Sequence, residues 1–524
     1  MGGFVILEMC RLRRETEFAL AVGCFGREFR GFSMDEKVKQ DGWLELLFLR
    51  PLRGWRGWTV YLVILGLLGA AYFALAGQVV AQTNLDLRRS DQLANMMLAR
   101  ESAQDWYPHR SNYIQPLWPW ISRVVMSEND EEFYLRGRWL NLSIGYAVTV
   151  LLAIAAAWWM APIPGLTVGL LTGIGLMLQR AHFFQPEPLL YALLAATAVF
   201  MALSLWRGRW LDYLGWGLFL GLAYLAKGST GPLVAVYFGA TAVMFLARAG
   251  WCPRWLCGRT PPGPSVGRHA AGILGGLLLA GALIAPNAVF KYRVHDDPFH
   301  SVVKYWMWCD DWETEADPLY PLVATAEARA RFAPGELPTG ANYLRKHGFE
   351  HAWKRWTTGV AFMTERFVIP IRVAKRALFF ERQGGKTERG EPPQLWRYFF
   401  SARGLYLCWF LALGALLLGV RTVQRGAPLF RSPAALAITA FVTAMTLLYL
   451  AAFGWYAVIG NGERFTLMLY LPLLIALAWG TWVLGREMSG RWRWVYAIGV
   501  AAVFVHASVQ TALLLAYPQF GPSL

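Results

Sequence analysis

About eleven apolar stretches, each close to the length a helix needs to cross a bilayer, recur along the 524 residues and leave few folds open. They run approximately over Trp58–Val80, Trp139–Met160, Pro164–Gln179, Pro188–Trp206, Tyr213–Ala226, Gly231–Ala247, Ala270–Phe290, Gly404–Val420, Pro433–Ile459, Phe465–Leu484 and Val495–Ala516. Hydrocarbon offers the backbone no water, so each stretch must close its hydrogen bonds within itself, as a helix. The expected fold class is all-α and polytopic. Hydrophobic residues at 56% and a mean hydropathy of +0.34 exclude a large water-soluble protein.

The formal net charge of +16 invites a nucleic-acid reading, but its distribution argues otherwise. Arg50, Arg53 and Arg56 precede the first stretch, and WRGRW, RWLCGR, RTVQRGAPLFR and GREMSGRWR fall in alternate short loops. Basic loops of that kind set orientation and contact anionic membrane lipids. No nucleic acid is expected as a partner. The N-terminus is expected in the cytoplasm and, with an odd number of spans, the C-terminus outside. Of the six cysteines only Cys309 falls clearly on the outer side, so no disulfide framework is implied. Cys252 and Cys257 share their loop with His269 alone, too few ligands for a zinc site.

Four regions follow. Residues 1–57 form a cytoplasmic segment, whose first 33 positions read as a start-site extension because Met34 opens an alternative start. Residues 58–290 are expected to form the transmembrane core, with an outer loop at 81–135, residues 291–403 an interfacial outer region, and residues 404–524 the C-terminal spans. In 291–403, YLRKHGFEHAWKRW and TERFVIPIRVAKRALFF mix apolar and basic residues at helical spacing, as helices lying in an interface do. KYWMWCDDWETE, in the same region, reads either as an aromatic platform for a sugar or as a packed lid. Gly165, Gly169 and Gly173, and again Gly217 and Gly221, allow close helix packing. The Asn141-Leu-Ser143 sequon lies at the start of a span, out of reach of a modifying enzyme, and His506 reads as a hydrogen-bonded bundle residue.

The outer loop from Asn84 to Glu132 carries the densest chemistry. Ser90 is placed to cap a helix in which Leu93, Met96, Met97 and Leu98 recur at helical spacing, which puts Asp91 in the first turn at the positive helix end. Tyr113 to Ile121 interleaves Trp118 and Trp120 with Pro116 and Pro119, as a segment lying among lipid headgroups would. Further on come QPEP around Glu187, with Arg180 and His182 just before it; AKGST, with Lys227; and NGER, with Arg464. Hydropathy and charge counting alone put all four on the outer side.

In this order the motifs resemble those of the GT-C class, polytopic glycosyltransferases that use polyprenyl-phosphate-linked sugars, such as protein O-mannosyltransferases and the lipid A aminoarabinose transferase. Asp91 matches the acid after the first span, while Gln92 departs from the family's Glu; Glu187 stands where the second acidic loop carries Asp; AKGST is similar to the TKG turn, and NGERF to the ERY-like start of a late span. The resemblance implies catalytic roles for Asp91, as the base that deprotonates the acceptor hydroxyl, and for Glu187. It implies substrate contacts at Lys227, Arg464, Arg180, His182 and Tyr113. It implies a bacterial inner-membrane protein with an outward-facing site, a lipid-linked sugar donor, and a glycan, lipid or protein acceptor. One base without a second carboxylate nucleophile suggests inversion, and no cofactor or metal is expected because phosphate leaves readily when cations hold it. Each residue has a plainer reading: Asp91 and Glu187 as helix-end charges, Lys227 as a snorkelling side chain, Arg464 as the ion-pair partner of Glu463. A transporter or lipid-linked sugar flippase, or a noncatalytic scaffold, is the alternative function; transporters place charge near the midplane, whereas here it gathers at the outer rim.

Overall fold

The computed structural model describes residues 42–88, 91–107, 114–258, 265–333, 335–368, 394–457 and 465–516. Helices account for nearly all of them: α1 (Trp55–Gln82), α2 (Gln92–Gln104), α3 (Leu117–Ser122), α4 (Asp130–Trp159), α5 (Pro162–Ala181, with a π turn at Gly173–Met177), α6 (Glu187–Arg207), α7 (Trp210–Ala226), α8 (Gly231–Arg248), α9 (Val266–His295), α10 (Gly340–Val368), α11 (Gln394–Arg425), α12 (Pro433–Tyr456), α13 (Tyr470–Glu487) and α14 (Arg491–Ala516). Ten of the described helices are long and apolar enough to cross a membrane. The eleventh expected stretch, Tyr213–Ala226, is present as α7, whose 17 residues make about 26 Å of helix. Helix α7 runs antiparallel to α6 over the same thickness, because the hairpin is closed by an ion pair at each end: Arg207 to Asp212 at 2.6 Å and Lys227 to Glu187 at 2.9 Å.

Burial sorts the spans. The most apolar window of α5 is 83% buried and that of α9 only 17%, so α5 is the central post and α9 faces lipid. The glycines of α5 explain its close seat on α4: a Cβ at Gly165 would lie 2.8 Å from the Ala157 amide nitrogen, and one at Gly169 would strike the Ala153 methyl. Gly217 of α7 lies in the same way on the Gly276 backbone of α9. Dispersion between close backbones drives such packing where lipid removes the hydrophobic difference. Lipid-facing positions carry Leu67, Leu151, Leu278, Leu447 and Ile498, all exposed.

The basic loops meet at one end of the bundle. Glu487 holds Arg421 at 2.9 Å and Arg431 at 2.8 Å, Glu45 holds Arg493 at 3.1 Å, and the Trp255 and Leu256 carbonyls accept from the amides of Leu429 and Phe430. At the other end residues 300–363 form a layer with its own apolar cluster of Val302, Tyr305, Trp306, Cys309, Leu319 and Val323. Helix α10 in this layer is amphipathic and is not among the crossing helices, as its sequence indicated; the second interfacial stretch lies outside the described residues beyond Val368. Cys309 is buried, and burial, reinforced by Glu315, pushes its thiol up to about 12, which makes it an inert core residue. His506 accepts or donates a 2.9 Å hydrogen bond with the Tyr406 hydroxyl, the bundle role expected of it.

One buried polar knot ties the first outer loop to the bundle rim. Gln92 is fully buried; its Oε1 accepts from Asn84 Nδ2 (2.7 Å), the Phe184 amide (3.0 Å) and the Tyr134 hydroxyl (3.1 Å), and its Nε2 donates to Asn84 Oδ1 (3.2 Å). Arg138 of α4, also buried, donates to the carbonyls of His182 and Thr83, each at 2.7 Å. Asn141 donates to those of Phe183 and Gln185, each at 2.8 Å, so the sequon asparagine is a buried scaffold group. A carboxylate at this position could not make the bond to Asn84 Oδ1, because it has no hydrogen to give. Gln92→Leu, which fills the space and removes every partner, is expected to cost about 2–4 kcal/mol because buried donors and acceptors are left unmet. Denaturant unfolding in mild detergent checks this; a stability equal to wild type would contradict it.

Candidate active site

Four chain segments converge on the rim that the knot holds. Asp91 occupies the N-cap of α2, with φ −80° and ψ 10°, one residue earlier than the expected first-turn position, and its side chain makes no capping hydrogen bond. Its carbonyl accepts from both the amide and Nδ2 of Asn95, at 3.0 and 2.7 Å. Ser90, expected as the cap, lies outside the described residues. The carboxylate is half-buried, and Gln92, the next residue, is bonded to the turn that carries Glu187.

That turn leaves α5 through Arg180 and His182. The Arg180 guanidinium rests on the Phe183 ring at 5.7 Å, and His182 Nδ1 lies 3.3 Å from the Leu178 carbonyl. Two carbonyl-directed donors hold the turn, Arg138 at His182 and Asn141 at Phe183 and Gln185, and Phe184 plugs the space between Trp118 and Phe133 with edge contacts of 5.5 and 5.2 Å. Glu187 then begins α6. It is 3% exposed, yet its Oε1 accepts from Lys227 Nζ at 2.9 Å. Lys227 is the residue at which α7 ends, with extended backbone, and its ammonium lies 4.4 Å from the centre of the Phe465 ring.

The first loop also reaches this pair from its far side. Gln115, buried, lies against Gly228, and its Oε1 accepts from Asn287 Nδ2 of α9 at 3.2 Å. Leu117 packs with Leu190, Ala223 and Ala226, the helix ends that present Glu187 and Lys227. The Tyr449 hydroxyl of α12 donates to the Ser229 carbonyl at 2.8 Å, fixing the turn after Lys227.

Glu187 and Lys227 are thus in direct contact, Asp91 is joined to them through Gln92 and residues 183–185, and Arg180 and His182 stand at the near end of that same turn. Tyr113 and Arg464 lie outside the described residues. Sequence reading missed the pairing of Glu187 with Lys227 and missed Arg403, a buried cation at the start of the apolar part of α11 that donates to Gln179 beside Arg180. An arginine at the threshold of an apolar span was the one signal available for Arg403. For Gln115 there was none. The arrangement offers a half-buried carboxylate, an ammonium held in place by a buried acid, and two further cations close by, which is chemistry suited to an anionic ligand with a hydroxyl to deprotonate.

No protein-family model matches the chain, and no curated protein matches it. Among solved structures it is similar to the archaeal oligosaccharyltransferase AglB from Archaeoglobus fulgidus in complex with an inhibitory peptide and a dolichol-phosphate, at 13% identity and a TM-score of 0.48, with 89% of this chain and 56% of that one covered. The apo form of the Archaeoglobus fulgidus oligosaccharyltransferase gives 12% identity, a TM-score of 0.45 and coverage of 88% and 57%. Apo ArnT from Cupriavidus metallidurans gives 16%, 0.26 and 78% of each chain. The chain spans a little over half the length of the first two. The all-α, polytopic architecture expected from the sequence stands on the described helices themselves, ten of which are long and apolar enough to cross a membrane.

Proposed function

We propose that this protein is a membrane glycosyltransferase that moves a sugar from a polyprenyl-phosphate donor to an acceptor hydroxyl at the bundle rim, with Asp91 as the general base. The observation that carries the reading is the contact of Glu187 with Lys227, at the end of the bundle opposite the basic loops, on a turn to which Asp91 is tied through its neighbour Gln92. Lys227 donates to Glu187 at 2.9 Å, and its ammonium is the cation at this rim that would face the donor phosphate. Glu187 holds the ammonium in place. The polyprenyl phosphate leaves as the acceptor oxygen attacks the opposite face of the anomeric carbon, and Asp91 takes the hydroxyl proton; a single displacement inverts that carbon. The acceptor is a glycan, lipid or protein hydroxyl, and the rim faces outward from a bacterial inner membrane.

The test is transfer by purified protein in proteoliposomes supplied with labelled polyprenyl-phosphate sugars and a panel of acceptor glycans, lipids and peptides. Asp91→Asn is expected to lower transfer by at least ~10²-fold while donor binding persists, since the amide keeps the shape but takes no proton. Near-normal turnover in that variant would leave Asp91 a helix-end charge. Wild-type movement of the lipid-linked sugar across the bilayer without transfer would establish the flippase reading instead. Orientation is checked separately: a cysteine at exposed Glu128 should react with an impermeant reagent from outside and one at exposed Arg254 should not, in a background freed of native cysteines. The reverse pattern would put the rim in the cytoplasm.

A further inference from the structure

Away from this rim, three ligand-type side chains of the 300–363 layer meet at one point. Asp310 Oδ2 lies 3.5 Å from His351 Nε2 and 3.8 Å from His347 Nδ1, and the three donor atoms are all within 4.8 Å of one another. Among the described residues this is the one group of His, Cys, Asp and Glu with such geometry. The CPRWLC pair with His269 does not form one; His269 is engaged with the Tyr213 hydroxyl.

The backbone is shaped for the convergence. His347 and His351 are four apart, but the helix does not run straight between them: Gly348 has φ +76° and ψ 167°, a left-handed conformation that L side chains rarely adopt. The kink leaves the two imidazoles stacked, 5.0 Å between centres and 27° between planes, on the same side as Asp310. The carboxylate itself is clamped from behind. Its Oδ1 accepts from Arg355 at 2.8 Å and from the Tyr343 hydroxyl at 2.7 Å, and Arg355 is fully buried between the rings of Tyr343 and Trp455 while donating to the Met307 carbonyl at 3.0 Å. Those two donors fix the carboxylate and turn its other oxygen towards the imidazoles. Outer partners that orient a ligand in this way are the usual second layer of a metal site. The three side chains are 21–35% exposed, enough for an ion to enter and keep a position open.

We propose that Asp310, His347 and His351 bind a divalent cation of the zinc type, with water in the fourth position. Two imidazoles and one carboxylate suit zinc and its first-row neighbours, whereas magnesium and calcium take oxygen ligands throughout. A tetrahedral zinc site holds its ligand atoms about 3.3 Å apart, so the 3.5 and 3.8 Å from Asp310 need a small closure, and the two histidines, within 4.8 Å of each other, would turn inward as the ion binds. The ion would fasten the Asp310 loop across the kink of α10 and, through Arg355 and Trp455, to the outer end of α12. The site stands or falls independently of glycosyl transfer.

The experiment uses the full chain, purified without a polyhistidine tag, stripped with a chelator and titrated with Zn²⁺ or Co²⁺. One equivalent of zinc should remain after gel filtration, and cobalt should give the intense visible bands of a tetrahedral nitrogen and oxygen site without a thiolate charge-transfer band. His347→Gln/His351→Gln should weaken binding by at least ~10-fold, with Cys252→Ser/Cys257→Ser unchanged. His351→Gln alone should shift the cobalt spectrum, a readout available even if the double variant fails to fold. Wild-type protein that retains no zinc, zinc retained equally by the double histidine variant, or a thiolate band in the cobalt spectrum would each overturn the proposal.

Discussion

The ion pair between Glu187 and Lys227 is the contact on which the rim depends. It joins the start of α6 to the end of α7, so each charge sits where a helix dipole favours it: the carboxylate at an N-terminus and the ammonium at a C-terminus. Glu187 is buried, and removing its partner would leave an uncompensated charge worth about 3–5 kcal/mol. The pair therefore locates a cation without letting it swing into solvent. It also gives Lys227 an occupation beyond snorkelling, the plainer reading of a lysine at a span end. An anion that reaches this rim meets a cation already positioned and three-quarters withdrawn from water, a condition that favours electrostatic stabilisation.

Much of this was legible in the sequence, because hydropathy and charge follow from local composition. The spans, the grouping of basic loops at one end, the small-residue packing of α5 and α7, and the bundle role of His506 all depend on periods of a few residues. The pairing of Glu187 with Lys227 was not legible, since it links positions 40 apart whose individual readings were each sufficient. Gln92 looked like a loss of an acid; its meaning became visible only when Asn84, Phe184 and Tyr134 were seen around it. Asp91 fell one residue outside the helix turn assigned to it because boundaries depend on the three-dimensional cap, here with Asp91 itself in that place. The acidic aromatic run around Asp310 was open between platform and lid, and neither reading included the two histidines that the kink at Gly348 brings to it.

The two polar centres share one structural element. Trp455 covers Arg355 behind Asp310, while Phe453 and Tyr456, its neighbours on α12, pack on Phe465 at 5.0 and 5.6 Å, and Phe465 carries the Lys227 ammonium on its face. The end of α12 is thus a short rigid bridge from the outer layer to the rim. Tyr449, a further turn down, donates to the Ser229 carbonyl and ties α12 to the turn after Lys227. A shift of the outer layer would be felt at Lys227 through these rings rather than through the backbone alone.

If Lys227 binds the donor phosphate, as proposed, its loss must register in a donor titration. Because Lys227→Met alone strands the buried Glu187, the comparison is made in a Glu187→Gln background, where Met keeps the apolar stem and removes the charge. Binding of a polyprenyl-phosphate sugar, measured at fixed detergent and salt, should weaken by ~10–150-fold on going from Lys to Met, the loss of one charge-assisted hydrogen bond of about 1.5–3 kcal/mol. Lys227→Arg in the same background should recover part of the affinity. Equal affinity for Lys and Met would contradict the account and remove Lys227 from the site.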